Sequence, residues 1–223
     1  GGSVLIENLG PSIGDINVAA NTITITGPLG TTLRSLGNIN VNGSVQNTAG
    51  TMAGEGGVVN LIAGWDGVTG LATPFDITPI FANTGSFGNN NGSVVIGDGM
   101  QATGIAVGSR FGPTNVAADD LTIQGVQIAA TNGFAQLGFR ADTSQNDFNI
   151  DGPITVVLSD GSGNPGDLTA TGGSAENAYA QLGHGGNEGD GNFSGAIMIS
   201  ANDLNFTGGS ANDTYAHLGH GGD

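Results

Sequence analysis

Apolar positions in this chain fall in short runs, alternating with small polar residues and then stopping. Asn21–Thr26 reads NTITIT, which sends Ile23 and Ile25 to one face and Thr22, Thr24 and Thr26 to the other. That is the period-2 pattern of a half-buried strand. Ile39–Val45 alternates around a central Asn42-Gly43, and Val58–Ala63, Ser93–Ile96, Gly104–Val107, Leu121–Ile123, Ile154–Leu158, Ala196–Ser200 and Asp203–Phe206 continue the series. No stretch has the three-and-four apolar spacing of a helix. The pattern therefore predicts an all-β chain with about a dozen short strands and no helices.

Between the runs lie Asx-Gly pairs: Asn42-Gly43, Asp66-Gly67, Asp98-Gly99, Asn132-Gly133, Asp151-Gly152 and Asp160-Gly161. Such pairs accept tight turns cheaply. They serve equally as hairpin turns in a sandwich or as corners between successive sheets of a solenoid. A sequence repeat decides between the two. Gly173–Gly186 (GSAENAYAQLGHGG) returns at Gly209–Gly222 (GSANDTYAHLGHGG), an offset of 36 residues, and Gly133–Arg140 (GFAQLGFR) is a weaker third copy. Self-similarity at a fixed period is the signature of stacked supersecondary units.

The expected architecture is one continuous parallel β-helix, with irregular coils over 1–165 and repeat-containing coils over 166–223. The unit holds three strand-like pieces, Ala196–Ser200, Asp203–Thr207 and Thr214–Leu218. Coils of a β-helix are usually shorter than 36 residues, so two coils per repeat is the favoured division and one large three-sided coil the alternative. The spacing from Leu137 to Leu182 is 45 residues, so corner lengths are expected to vary.

Composition narrows function. The 223 residues carry 19 acidic side chains, no Lys, and only Arg34, Arg110 and Arg140 as cations, for a net charge of −16. Nucleic-acid binding needs basic stripes that release counterions, and docking on anionic lipid needs basic clusters; neither is present. There is no cysteine, so backbone ladders and stacking must supply the stability. No apolar run approaches the ~20 residues of a membrane helix. Gly is abundant, at 43 residues, but the apolar runs are too ordered for a disordered chain. The chain opens on Gly1 without Met, which reads as a processed or excised piece. Its end within a repeat raises the expectation of further coils or a stacked neighbour.

Gly56–Gly70 (GGVVNLIAGWDGVTG), Ala106–Arg110 (AVGSR) and the AQLG- and GHGG-type repeats resemble the body of filamentous-haemagglutinin-like exoproteins. These are large two-partner-secretion passengers of Gram-negative bacteria, and the resemblance covers about residues 15–223. It implies a right-handed parallel β-helix, export through an outer-membrane secretion partner, and an extracellular, cell-surface role as a long adhesin that binds surface glycans or proteins. The Asn-Pro-Asn-Gly-type motifs of that family's secretion domain are absent here.

Several residue sets are candidates for chemistry. His184 and His220 occupy equivalent repeat positions, with His217 replacing Gln181. With two coils per repeat they would lie roughly 10 Å apart, too far to share one metal ion, and corner packing is the preferred role. Asn187–Asn192 (NEGDGN) supplies acids in a Gly-rich turn, as Ca²⁺ requires, with Glu188 and Asp190 the candidate ligands; no other cofactor is expected. Asp167, Asp203, Asn177 and Asn212 are expected to stack as polar ladders. Tyr179, Tyr215 and Phe134 are expected to stack inside or cover one corner. Trp65 is the candidate glycan contact, with core capping the preferred role.

Catalysis has little support. A lyase needs a base near an anion-stabilising cation, and the three Arg are far apart in sequence. A glycosidase needs only two carboxylates, for which Asp119-Asp120 or Glu188 with Asp190 would have to serve. The expected function is a structural and adhesive segment of a surface fibre and not an enzyme. The alternatives are a filament subunit associating end to end and a carbohydrate-active β-helix.

Overall fold

In the computed structural model the alternating runs become strands, and the Asx-Gly pairs become corners and loops. The structure describes residues 3–8, 14–19, 22–81, 91–128, 132–141, 148–187 and 190–221. The first circuit of the chain lays down β1 (Val4–Glu7), β2 (Ile16–Val18) and β3 (Ile23–Ile25). The second gives β4 (Gly30–Arg34), β5 (Ile39–Val41) and β6 (Val45–Asn47). The third gives β7 (Val58–Ile62), a four-residue helix α1 (Thr78–Phe81), β8 (Val94–Ile96) and β9 (Ile105–Ser109). The fourth gives β10 (Thr114–Ala118), β11 (Leu121–Gln124), β12 (Ala135–Leu137) and β13 (Phe148–Ile150). The fifth gives β14 (Ile154–Leu158), β15 (Leu168–Thr171), β16 (Ala180–Leu182) and β17 (Gly191–Phe193), and the sixth β18 (Ile197–Ser200), β19 (Leu204–Thr207) and β20 (Ala216–Leu218).

The chain visits the same three sheets in rotation. Sheet A runs β1-β4-β7-β10-β14-β18, sheet B runs β2-β5-β8-β11-β15-β19, and sheet C runs β3-β6-β9-β12-β16-β20; β13 and β17 form a small fourth sheet. All pairings between these strands are parallel. The fold is all-β with stacked parallel sheets, consistent with a β-helical solenoid. Each 36-residue repeat is one three-strand circuit: Leu168 pairs with Leu204 and Ala180 with Ala216. The favoured division into two coils per repeat is thereby corrected. Three strands and three corners use up the whole unit.

Equal residues stack into columns. Ile39, Val94, Leu121 and Leu168 line one inner column of sheet B, each with no exposed surface. Full burial of such a side chain is worth about 1.5–3 kcal/mol, so every circuit adds an apolar layer to its neighbours. The long connection between β7 and β8 folds back on the outside of sheet A. There Ile77 and Ile80 pack with Trp65 against the outward-facing Ile62 and Ala117. The helix within it, which the pattern does not predict, starts where Asp76 Oδ1 accepts the Thr78 N–H at 2.9 Å, an N-cap. No described helix is long and apolar enough to cross a membrane.

The Leu-Gly dipeptide of the repeat has a steric cause. Gly138 and Gly183 sit at φ 142° and 150°, and a Cβ there would lie 2.0 Å from the Gly183 oxygen and 1.7 Å from the Gly219 oxygen in the next circuit. Only glycine fits at that spacing.

Candidate functional site

The histidines stand in one column at the end of sheet C, followed from circuit to circuit by Asn47, Ser109, Phe139, His184 and His220. Four of these side chains donate to a carbonyl of the segment that enters their own circuit. Asn47 Nδ2 reaches Gly27 O at 3.2 Å, and Ser109 Oγ reaches Gly57 O at 2.7 Å. His184 Nε2 lies 2.6 Å from Gly152 O, and His220 Nε2 2.9 Å from Gly195 O. Each of these four circuits is thus tied end to start. The other ring nitrogen accepts: Phe139 N–H donates to His184 Nδ1 at 2.9 Å, and His184 N–H to His220 Nδ1 at 3.1 Å. These bonds fix both rings as Nε2–H tautomers. The rings stack at 5.1 Å with 2° between planes, half the spacing expected from the two-coil division, because the two histidines sit in successive circuits. With both nitrogens of each ring engaged, the column is a closure device rather than a metal ladder. Burial, with a smaller contribution from His220, pushes the His184 pKa down to about 4.

Alongside runs the expected aromatic stack. Phe134 and Tyr179 lie 5.1 Å apart at 9°, and Tyr179 and Tyr215 5.0 Å apart at 11°. The Arg140 guanidinium sits 4.0 Å over Phe134 and donates to the Tyr179 hydroxyl. Burial pushes the Tyr179 pKa up to about 12, against the pull of Arg140.

The polar ladders occupy the residue before each sheet B strand. Asp15 Oδ1 accepts the Asn38 N–H at 2.9 Å, and Asn38 Oδ1 accepts Ser93 N–H at 2.9 Å. Asp120 Oδ1 accepts Asp167 N–H at 2.8 Å, and Asp167 Oδ1 accepts Asp203 N–H at 3.2 Å. The expected Asp167–Asp203 ladder is thus part of a longer staircase. Asn177 pairs with Asn132 at 3.0 Å and Asn187 at 2.8 Å, and it meets Asn212 through backbone only, at 3.1 Å.

Trp65 is not a sugar platform. It has no exposed surface, its Nε1–H donates to Thr69 O at 2.8 Å, and Arg34 stacks 4.1 Å over its ring. Arg34 is itself buried; it ion-pairs with Glu7 and donates to Gly70 O at 2.8 Å. This group pins the β7–β8 connection onto sheet A. Of the candidate calcium ligands, Asp190 is exposed in the turn before β17, and Glu188 lies outside the described residues. Among the described residues no group of three or more His, Cys, Asp or Glu could hold a metal ion.

Nor does the Asp119–Asp120 pair line either described groove, and the Glu188–Asp190 pair falls partly outside the described residues. Asp120 is spent on the staircase, while burial and then repulsion from Asp120 and Asp160 raise the pKa of Asp119. A surface groove of about 210 Å³ holds Asp151 with Asn149 and Asn192, and another of about 340 Å³ between Val157 and Ser200 holds no titratable group. A glycosidase would need two carboxylates in one such groove.

What remains is the sixth circuit. Leu204 is 48% and Leu218 42% exposed, whereas their equivalents Leu168 and Leu182 are fully buried. No described strand pairs with the outer edges of β18, β19 and β20. His217 Nε2 is buried without a hydrogen-bond partner. At the matching position Gln136 donates to Gly183 O at 2.9 Å and Gln181 to Gly219 O at 3.1 Å, each reaching into the next circuit.

No family model, curated protein or solved structure matches this chain. No comparison identifies it as a filamentous-haemagglutinin-like exoprotein.

Proposed function

We propose that the chain is a structural and adhesive segment of a secreted bacterial surface fibre, built as a right-handed parallel β-helix. The observation that carries the reading is the sixfold return of the chain to the same three parallel sheets. Right-handed winding is the rule for connections between parallel strands of one sheet. A stack of this kind grows by adding circuits, each rising by about 4.8 Å, so its natural product is length rather than an enclosed pocket. The candidate chemistry supports the same reading. His184, His220, Trp65, Asp120 and Asp167 all spend their polar atoms on internal bonds. A net charge of −16 suits an exposed, soluble surface.

Two measurements test the proposal. Six circuits span only about 29 Å along the stack, so the winding is tested by backbone NMR, which is expected to show parallel contacts of Leu168 with Leu121 on one side and Leu204 on the other. Binding to immobilised cells or a glycan array is expected to saturate, with no release of reducing ends from a polysaccharide panel. Antiparallel or missing contacts between these strands would overturn the β-helix. Absence of binding would overturn the adhesive role, and sugar release would favour the carbohydrate-active alternative.

A further inference from the structure

The corner between sheets C and A is cut by a groove. Its walls come from the segments that close four successive circuits, the second to the fifth: Thr51 and Met52, then Phe111, then Asn149 and Asp151, then Asn192. None of these segments belongs to an end circuit, so the groove depends on neither end of the stack.

Both walls are held by bonds of their own. On one side the Thr51 N–H and hydroxyl donate to Glu55 Oε2 at 3.2 and 2.9 Å, and Gly54 N–H donates to Phe111 O at 2.9 Å. These bonds fix the loop that carries Met52. Met52, 60% exposed, and the buried Phe111 form the apolar part of the lining. On the other side β13 and β17 set Asn149 and Asn192 in register, both exposed, and Asn192 Nδ2 donates to Asn149 Oδ1 at 3.2 Å. Arg110 Nε donates to Asn149 O at 2.9 Å and steadies β13. The amide pair keeps one donor, Asn149 Nδ2, and one acceptor, Asn192 Oδ1, for a molecule in the groove.

The unspent atoms select the chemistry of that molecule. Asp151 lines the groove, and its buried Oδ1 has no hydrogen-bond partner, so a ligand that donates there recovers an unmade bond. A cation is poorly matched. Burial lowers the Arg110 pKa against the pull of Asp151, so a guanidinium already offsets the one carboxylate. An anion would meet Asp151 and a chain of net charge −16. An apolar molecule would leave both amides, Asp151 and the Ser194 hydroxyl of the lining without partners. The match is an uncharged molecule whose hydroxyls both donate and accept and which has a C–H face. A sugar ring has both features.

We propose that this groove binds one neutral hexose unit of a glycan. The sugar hydroxyls donate to Asp151 Oδ1 and Asn192 Oδ1 and accept from Asn149 Nδ2, and the C–H face lies on Met52. At about 210 Å³ the groove is smaller than the ~300–1,000 Å³ of sites that enclose a drug-sized ligand, so it takes a single ring and leaves neighbouring units in solvent. With one carboxylate the groove holds a sugar without hydrolysing it. The proposal rests on the adhesive reading and names the surface and the sugar class.

The test titrates the isotope-labelled chain with methyl glucoside, methyl galactoside and methyl mannoside, and with galacturonate as the charged counterpart, followed by amide NMR. At least one neutral hexoside is expected to give saturable shifts at the Asn149 and Asn192 side chains, with galacturonate at least tenfold weaker. Asn192→Val, at an exposed strand position that suits a β-branched residue, and Met52→Ala should each weaken binding at least fivefold. Met100→Ala, exposed at the corner between sheets B and C, should leave it unchanged. Met52 lies outside the strand ladder, so its variant tests the groove even if Asn192→Val disturbs β17. No saturable shift at Asn149 or Asn192 with any hexoside overturns the proposal, and so does a preference for galacturonate. Binding to immobilised cells separates the two readings. Wild type and groove variants that bind cells equally overturn the groove and leave adhesion standing, whereas hexoside shifts without cell binding keep the sugar site and remove the adhesive role.

Discussion

Acidification should unlock the His184 closure, and the structure sets the size of the effect. The His184 ring is fully buried, accepts at Nδ1 from Phe139 N–H and donates at Nε2 to Gly152 O. Protonation at Nδ1 would place two donors face to face and a charge in an apolar corner. Its pKa accordingly falls from 6.5 to about 4. Between these values the unfolded chain binds a proton that the folded chain refuses, so folding stability falls as pH falls. The loss starts near pH 6.5, reaches about 2–3 kcal/mol by pH 4.5 and levels off below pH 4. The reference is His184→Asn, since Asn47 performs the same closure in this column without titrating. Urea unfolding followed by far-UV circular dichroism at pH 7.5, 6.0, 5.0 and 4.5 gives both stability profiles. Carboxylates titrate alike in the two proteins, so the difference between profiles isolates His184. The wild type should lose about 2–3 kcal/mol more than the variant by pH 4.5. Parallel profiles would refute the argument.

Three further outcomes are expected. Gly183→Ala, whose Cβ would meet the Gly219 oxygen at 1.7 Å from a positive φ, should undock the sixth circuit, seen as lost amide-exchange protection at Ala216–Leu218 while Leu121–Gln124 stays protected. Arg34→Met should cost about 3–5 kcal/mol in urea unfolding by stranding Glu7, with the added Glu7→Gln change recovering part of it. The single Trp65 should emit at short wavelength and resist acrylamide quenching, and glycan binding should leave its spectrum unchanged, because its ring has no exposed surface.

The strands legible in the sequence lie in all three sheets, among them β7, β14 and β18 of A, β5, β8, β11 and β19 of B, and β3, β9 and β20 of C, whereas β1, β2 and β4 are not read. Ile154–Leu158 is read to the residue and Val58–Ala63 to within one, because alternation of Val and Ile with small polar residues is a local signal. β10 escapes notice, since Thr114–Ala118 (TNVAA) is too small and polar to stand out, and its inward Thr114 and Val116 gain meaning only from Val59 and Leu61 beside them. The 36-residue offset locates the circuits but not how many strands each holds. Counting strands in the repeat gave three, and usual coil size outweighed that count. At Trp65 the neighbouring Asp66-Gly67 suggests an exposed turn. Burial comes from Arg34 and the helix at Thr78–Phe81, which lie 31 and 13 residues away and carry no mark of that contact. The closure column was invisible for a related reason. Asn, Ser and His do one job there at unequal spacings, so only the last two steps, His184 and His220, share a residue type.

The direction of the ladder bonds has a mechanical consequence. They run along the stack, and the first and sixth circuits lie at opposite ends, so tension between the ends pulls on each junction head-on instead of shearing it. Such a stack yields one circuit at a time, from whichever end is less well held. Each repeat-type circuit pays out about 120 Å of chain from 36 residues for about 5 Å of folded rise. Built this way, the molecule is a ratcheting tether, and under load it lengthens more than twentyfold per circuit before the next junction has to move.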